Sequence, residues 1–273
     1  MIIQRLYELA KRENLLDEIS FERQPVPFVV QCDAEGNYLG VLDRRGRTEI
    51  PGKGKQKEPR IEYDNGKELP CPRAHGNKAN AGFACYFVDT VPRVVPYHFP
   101  PKSDKPKDVK DAEDGIRKGD ASRQTFWRQV EEAAGKCDSK SLNAVVYLGR
   151  HLRDDPGTMA RLKADFEKLE PPPPPGSRCA LACVSDTGLT LTEIPAIKSW
   201  YRGFLEGLNA ARERDMPKGI CQVTGAVTSI PSSHSFQFKK VRGGLGTGTY
   251  LVSMDKAAFQ SYGLDGTGNT HIC

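Results

Sequence analysis

Hydrophobic and polar positions alternate with two different periods along this chain, and the change of period divides it. Near the start, Ile2, Leu6 and Leu9 recur three to four residues apart, which predicts an opening helix from Ile2 to about Leu16. The following segment, PVPFVVQCDAEGNYLGVLD, switches to a two-residue period. Phe28 and Val30 face one way, Val29 and Gln31 the other, and the AEGN turn predicts an antiparallel hairpin closed by YLGVLD. The stretch RRGRTEIPGKGKQKEPRIEYDNG is rich in Gly, Pro and Lys and reads as an extended, mobile loop. ELPCPRAHGNKANAGF is also loop-like, and the apolar run Phe83 to Val88 reads as a strand. KSDKPKDVKDAEDG is charged and weakly ordered on its face, a joint between a sheet-rich part and a helical one.

Three helices are expected next. Ser122 caps one carrying Phe126 and Val130, and Ser141 caps one carrying Leu142, Val145, Val146 and Leu148. The third opens with Asp155 as cap and Pro156 in the first turn, and lines Met159, Leu162, Phe166 and Leu169 on one face. The proline run from Pro171 to Gly176 ends it as a stiff spacer. RCALACVSDTGLTLTEI then reads as a hairpin turning at Ser185 to Gly188. A helix from Pro195 buries Ile197, Tyr201, Phe204, Leu205 and Leu208. A CQVTG turn, a glycine loop at VRGGLGTG, a strand TYLVSM and a short helix between Asp255 and Gly263 complete the pattern. The expected fold is mixed α+β. Its parts are residues 1–100, sheet-rich with basic loops; 101–170, helical; 171–176, the spacer; and 177–273, mixed and carrying the glycine loop.

Composition adds limits. At 38% hydrophobic and 27% charged residues a folded soluble protein is expected, and no run approaches the roughly 18–20 apolar residues of a membrane span. The N-terminus reads as a helix rather than a signal peptide, so a cytoplasmic location and mostly reduced cysteines are expected, eight in all. A formal charge of +5 permits nucleic-acid contact without requiring it. Distribution says more: Arg44, Arg45, Arg47, Lys53, Lys55, Lys57 and Arg60 face only Glu49 and Glu58 within their own stretch. Nothing near Cys273 resembles a capped ending, and the full protein is expected to continue beyond it.

Candidate chemistry points away from catalysis. The five histidines form no H-x-x-x-H pattern, and no serine sits in G-x-S-x-G. The loop Gly243 to Gly248 lacks the G-K-[ST] ending of a phosphate-cradling loop and precedes a strand. Beside Lys239, Lys240 and Arg242 it either admits a nucleic-acid backbone or is an ordinary tight turn. Cys179, Cys183, Cys221 and His234 could make a tetrahedral zinc site, but Cys179 and Cys183 alternate with Leu181 as buried free thiols do. No cofactor is expected. DNA contact is the leading reading. Lys53, Lys55, Lys57 and Arg60 can follow a phosphate backbone, unless they are simply solvated. In PRAHGNKANAGF, Asn77 and Asn80 can address base edges while Arg73 and Lys78 hold phosphate. Phe83 either wedges at a base step or opens a core strand.

Several of these segments resemble a known family. VRGGLGTGTYLVSMDKAAFQSYG, Val241 to Gly263, resembles the V-R-G, L-V-S and A-F-x-S-Y-G hallmark of the large subunit of type I-C CRISPR surveillance complexes (Cascade), the Cas8c/Csd1 family. Met254 stands where an aromatic residue is common. Cys221 to Gly225 is similar to the family's C-x-V-T-G turn, with His234 at a frequent histidine. Arg73, Gly76, Phe83 and Asp89 match its R-x-S-G…F…D-N pattern, with His75 and Thr90 as departures. The resemblance covers nearly the whole chain, although the family's C-terminal helical bundle has no counterpart in it.

It implies a non-enzymatic subunit that reads the short motif flanking the target, the PAM, in duplex DNA and helps crRNA-guided R-loop formation. Implied partners are target DNA, crRNA, Cas5-type and Cas7-type subunits, a small helical subunit and a recruited Cas3-type helicase-nuclease. PAM contact falls on Arg73, Asn77, Asn80 and Phe83. Backbone contact falls on Lys53, Lys55, Lys57, Arg60, Lys78, Lys239, Lys240 and Arg242. The alternatives are a structural crRNA- or protein-binding subunit, a longer protein with a fused effector domain, and a metal-dependent nuclease.

Overall fold

The structure is a computed structural model. It describes residues 20–51, 59–74, 82–98, 101, 103–174, 176–185, 188–221, 225–230 and 242–243, with Arg5, Glu8, Leu9, Arg12 and Glu13. Contacts group the chain into two units, Asp17–Leu205 and a second made of Met1–Leu16 with Glu206–Cys273.

The larger unit is built on a four-stranded mixed sheet in the order β3-β2-β8-β7. β2 (Phe28–Cys32) and β3 (Tyr38–Asp43) form the expected antiparallel hairpin. Asp33 accepts from the Glu35 and Asn37 N–H groups in its turn, and Gly36 there takes φ +81°, a conformation glycine adopts without strain. β8 (Arg178–Cys183) runs parallel to β2, pairing Phe28 with Cys179 and Cys32 with Cys183. β7 (Val88–Thr90) closes the far edge. The proline run that starts at Pro171 therefore connects two parts of one body, since β8 follows it and the partners of β8 precede it.

Alternation assigns the two faces of the sheet. Phe28, Val30, Cys32, Cys179, Leu181 and Cys183 face the helices. Val29, Val88, Ala180 and Ala182 face the other way, onto Leu69 and Cys71 of a second ribbon. That ribbon pairs β1 (Phe21–Pro25) with β6 (Glu68–Pro72). Its prolines are tolerated because each strand has only one partner and therefore a free edge.

A short α1 (Val91–Val94) leads to α2 (Pro106–Ala134), α3 (Lys140–Asp154) and α4 (Pro156–Glu167). The weakly ordered joint expected before residue 120 is in fact the first half of the 29-residue helix α2. Pro106 starts that helix and Asp108 complements its positive end. Burial sets in only at Gly119, so the sequence there shows charge without an apolar stripe. Ser122 is not a cap: it lies mid-helix and is buried. The cap of α3 is Ser139, whose hydroxyl accepts from the Leu142 N–H, and Ser141 lies inside the helix. For α4 the expected start holds, with Asp155 accepting from Gly157 and Thr158 and with Leu162 and Phe166 fully buried, while Met159 is half-buried and Leu169 lies beyond the helix end.

Two further expectations change. The apolar run from Phe83 yields a strand only at Val88, because Phe87 takes φ +64°, outside the extended region. The hairpin expected after Cys183 shrinks to a single bridge, Ala182 to Thr190. The chain then tightens into a 3-10 turn, Leu191–Glu193, whose Glu193 carboxylate accepts from the Thr190 N–H at 3.0 Å. α5 (Pro195–Glu213) buries Ile197, Tyr201 and Leu205, as the periodicity predicts, while Phe204 and Leu208, also expected inside, are half-buried.

In the second unit, β9 (Lys218–Ile220) and β10 (Val227–Ser229) pair across the CQVTG turn. There the Gly225 N–H donates to the Cys221 carbonyl at 2.8 Å. At the N-terminus, Arg5, Glu8, Leu9 and Arg12 are helical. The glycine loop from Gly244 onward, the TYLVSM strand and the final helix lie outside the described residues. No helix among the described residues is long and apolar enough to cross a membrane.

Leu181 is central to the sheet and fully buried beneath the helices. Leu181→Ala is expected to cost about 2–5 kcal/mol. The loss should appear in chemical denaturation as a lower midpoint with an unchanged slope.

Candidate nucleic-acid interface

The basic stretch is not a plain loop. β4 (Arg47–Ile50) and β5 (Arg60–Tyr63) pair antiparallel, Arg47 with Tyr63 and Ile50 with Arg60. Arg47, Thr48, Glu49, Ile61 and Glu62 are all exposed, so this hairpin is solvated on both faces. Each strand extends about 13 Å at the usual rise of a strand. The sequence hid it because Gly, Pro and Lys fill the connection between the strands. Lys53, Lys55 and Lys57 belong to that connection and lie outside the described residues, as does the side chain of Arg60.

Arg45 also departs from expectation. It is one of the basic residues expected to face only Glu49 and Glu58, yet its side chain is 3% exposed and paired with Asp43. Its guanidinium donates to both Asp43 carboxylate oxygens, at 3.0 and 2.6 Å, and to the Pro171 carbonyl at 2.9 Å. It also lies 5.0 Å from the Phe28 ring centroid and 5.1 Å from that of Tyr63. One side chain thus ties the root of the hairpin to β2, β3 and the proline run. Asp64 closes the same root, accepting from the Gly46 and Gly66 N–H groups at 2.8 and 2.7 Å. Those bonds hold its carboxyl below the usual carboxylate range.

The second candidate segment, 73–83, is described only at its ends. Arg73 is half-buried and its Nε donates to the Phe21 carbonyl at 3.2 Å. Its N–H donates to Ser20, and its carbonyl accepts from the Tyr201 hydroxyl at 2.5 Å. This residue anchors the segment to the body. At the other end the Cys85 N–H donates to Asp89 Oδ2 at 2.7 Å. Phe83 is half-buried and lies in no strand. Asn77, Lys78 and Asn80 lie outside the described residues. An aromatic cluster missed from the sequence secures both ends: Tyr86 lies 5.5 Å from Tyr201, 5.6 Å from Trp200 and 5.2 Å from Phe204, and Phe21 lies 5.5 Å from Tyr201. The sequence signal was the aromatic trio at 200, 201 and 204, spaced for one helix face.

Of the remaining candidates, Arg242 is exposed in a turn with Gly243, while Lys239, Lys240 and His234 are outside the described residues. Cys179 and Cys183 sit four residues apart on one continuous strand, about 13 Å from each other, too far to share one tetrahedral ion. Burial pushes the Cys179 thiol up to about 12, away from the thiolate a metal needs. Among the described residues no group of three or more His, Cys, Asp or Glu is arranged to hold a metal.

Arg45→Ala is expected to destabilise the larger unit by about 2–3 kcal/mol, because it strips a partly buried carboxylate of its partner. Arg45→Lys should recover little of that, since an ammonium cannot reproduce the two-pronged contact. Urea denaturation of both variants checks the order.

No curated protein matches the chain. The family model described as CRISPR-associated protein (Cas_Csd1) matches it over residues 3–273. A solvated basic hairpin on a mixed α+β body thus occurs in a chain that belongs to the Cas_Csd1 family of CRISPR-associated proteins, the large-subunit type of Cascade complexes.

Proposed function

We propose that this chain is the PAM-reading, DNA-binding subunit of a type I-C CRISPR surveillance complex and performs no bond chemistry itself. The observation that carries this reading is the exposed β4–β5 hairpin rooted at Arg45. Its connection bears Lys53, Lys55 and Lys57 at two-residue spacing, a pattern of charge suited to successive phosphates. A rooted arm loses less freedom on binding than a free loop does, which favours stable duplex contact.

The segment 73–83 supplies the complementary chemistry. Asn77 and Asn80 present amides suited to base edges, and Lys78 a phosphate contact, between two ends fixed by Tyr201 and Asp89. Arg73 acts mainly as an anchor. Arg60 extends the basic track, and Lys239, Lys240 and Arg242 are backbone contacts to target DNA or crRNA. Sequence along the target is read by crRNA pairing, so the protein needs only the flanking motif. In the assembled complex the chain sits with Cas5-type and Cas7-type subunits and the small helical subunit, and cutting falls to the recruited Cas3-type helicase-nuclease. The location is cytoplasmic.

Affinity for PAM-bearing duplex is expected to fall steeply with salt. Replacing Lys53, Lys55 and Lys57 with Ala should weaken every duplex alike and lower the salt slope by about one unit per lysine. Asn77→Ala or Asn80→Ala should instead remove about 1–3 kcal/mol of discrimination between flanking motifs. Filter-binding or anisotropy titrations on matched and mismatched duplexes separate the two. Equal losses on all sequences after the Asn changes would refute base reading, and crosslinks from the hairpin to crRNA alone would assign the arm to RNA.

A further inference from the structure

A second binding feature lies within the larger unit, on residues that neither the hairpin nor segment 73–83 uses. A cleft of about 460 Å³ opens between α2 and α3, within the size range of small-ligand sites. Its aromatic wall is Trp127. The indole N–H donates to the Val94 carbonyl at 3.0 Å, which fixes the ring. Gly149 of α3 makes room for it: a Cβ there would lie 2.4 Å from Trp127 Cε3. Phe126 lies edge-on to it at 86°, and among the described residues no ring stacks on the indole.

Charge surrounds this ring unevenly. Three guanidiniums, of Arg123, Arg128 and Arg153, line the cleft with two carboxylates, Asp120 and Glu131. Arg123 is committed to Asp120 at 2.6 Å and to the Pro92 and Val95 carbonyls. Arg153 is held more loosely, 4.0 Å from Glu131 and 3.2 Å from Asp154, with its side chain 62% exposed. Arg128 is exposed; its charge acts on the Tyr86 hydroxyl, and it has no hydrogen bond or ion pair among the described residues. The cleft therefore offers a fixed aromatic surface, one exposed cation outside any ion pair among the described residues, and one loosely held cation. A planar base attached to a phosphate matches all three features. An acidic peptide would leave the ring unused.

We propose that this cleft binds one nucleotide of a single-stranded nucleic acid, its base against Trp127 and its phosphate between Arg128 and Arg153. Stacking of this kind tolerates any base, and the site contributes affinity without sequence preference. The site is separate from the duplex contact, and either can fail without the other.

The test uses the full chain carrying Trp200→Phe, so that Trp127 is the sole indole reporter. Pentauridylate and pentathymidylate are titrated and indole fluorescence is followed. Saturable quenching is expected, weakened about ten-fold or more by Arg128→Ala with Arg153→Ala, while duplex affinity at the hairpin is retained. Were the double variant to melt early, Arg128→Glu alone, at an exposed position, carries the same comparison. Absence of quenching, quenching unchanged by the arginine variants, or equal quenching by oligoglutamate would each overturn the assignment. Loss of duplex affinity in the triple-lysine variant with this quenching intact would bear on the hairpin alone.

Discussion

Everything in the larger unit hangs on the parallel pairing of β2 with β8. A parallel pair cannot close through a tight turn and needs a long crossover. Here residues 33–177 lie between the two strands, and α2, α3 and α4 fall within that interval. The two strands are buried on both faces, by the helices on one side and the β1–β6 ribbon on the other. Their sequences, FVVQC and RCALAC, are short apolar runs for that reason. Six of the buried side chains on the helix side, Phe28, Val30, Cys32, Cys179, Leu181 and Cys183, come from these two strands alone. The sheet is thus the surface on which distant parts of the chain meet.

The same interval carries the arm. β4 and β5 leave the sheet after β3, and the chain continues into β6 of the β1–β6 ribbon, so their root must be fixed where the chain exits. Arg45 does this with three kinds of contact at once: a two-pronged ion pair, a carbonyl and two aromatic faces. A guanidinium is suited to such a place because it is planar, always charged and weakly hydrated. Asp64 satisfies the backbone at the other strand's exit. The exposed strands between these two anchors need no core of their own, since their position is set at the root.

How much of this the sequence revealed depends on the kind of signal. The β2–β3 hairpin was legible because alternation and the turn residues agree. α4 was legible because Asp155 and Pro156 mark its start and Leu162 and Phe166 its buried face. The first half of α2 was not, because those turns bury almost nothing and show only charge. The β4–β5 pairing was hidden for a related reason: both faces are solvated, so no alternation is imposed. Register between β2 and β8 could not be read, since pairing across so many residues leaves no local trace. The bonds of Arg45 to Asp43 are local, two residues apart, but Tyr63 and Pro171 are supplied by the fold. For the candidate interface, residue types and spacing were legible, while the anchoring of Arg73 through its carbonyl to Tyr201 was not.

Rigidity and exposure are thus separated along this chain in a way that bears on function. Aromatic packing among Tyr86, Trp200, Tyr201 and Phe204 is dense, and Phe87 is held at a positive φ that a bulky residue adopts only when its surroundings enforce it. That enforcement sits a few residues after segment 73–83 and fixes where the segment rejoins the body. A reader of duplex DNA needs donors whose positions are set by something other than the DNA, or the ordering cost falls on the binding step. In both candidate segments the ends are bound to a buried body while the donor-bearing residues lie between them. On the proposed reading, binding at such a site would depend on two classes of residue, the donors themselves and the buried groups that hold their ends. Arg45 and Tyr201 belong to the second class although neither has any need to touch nucleic acid.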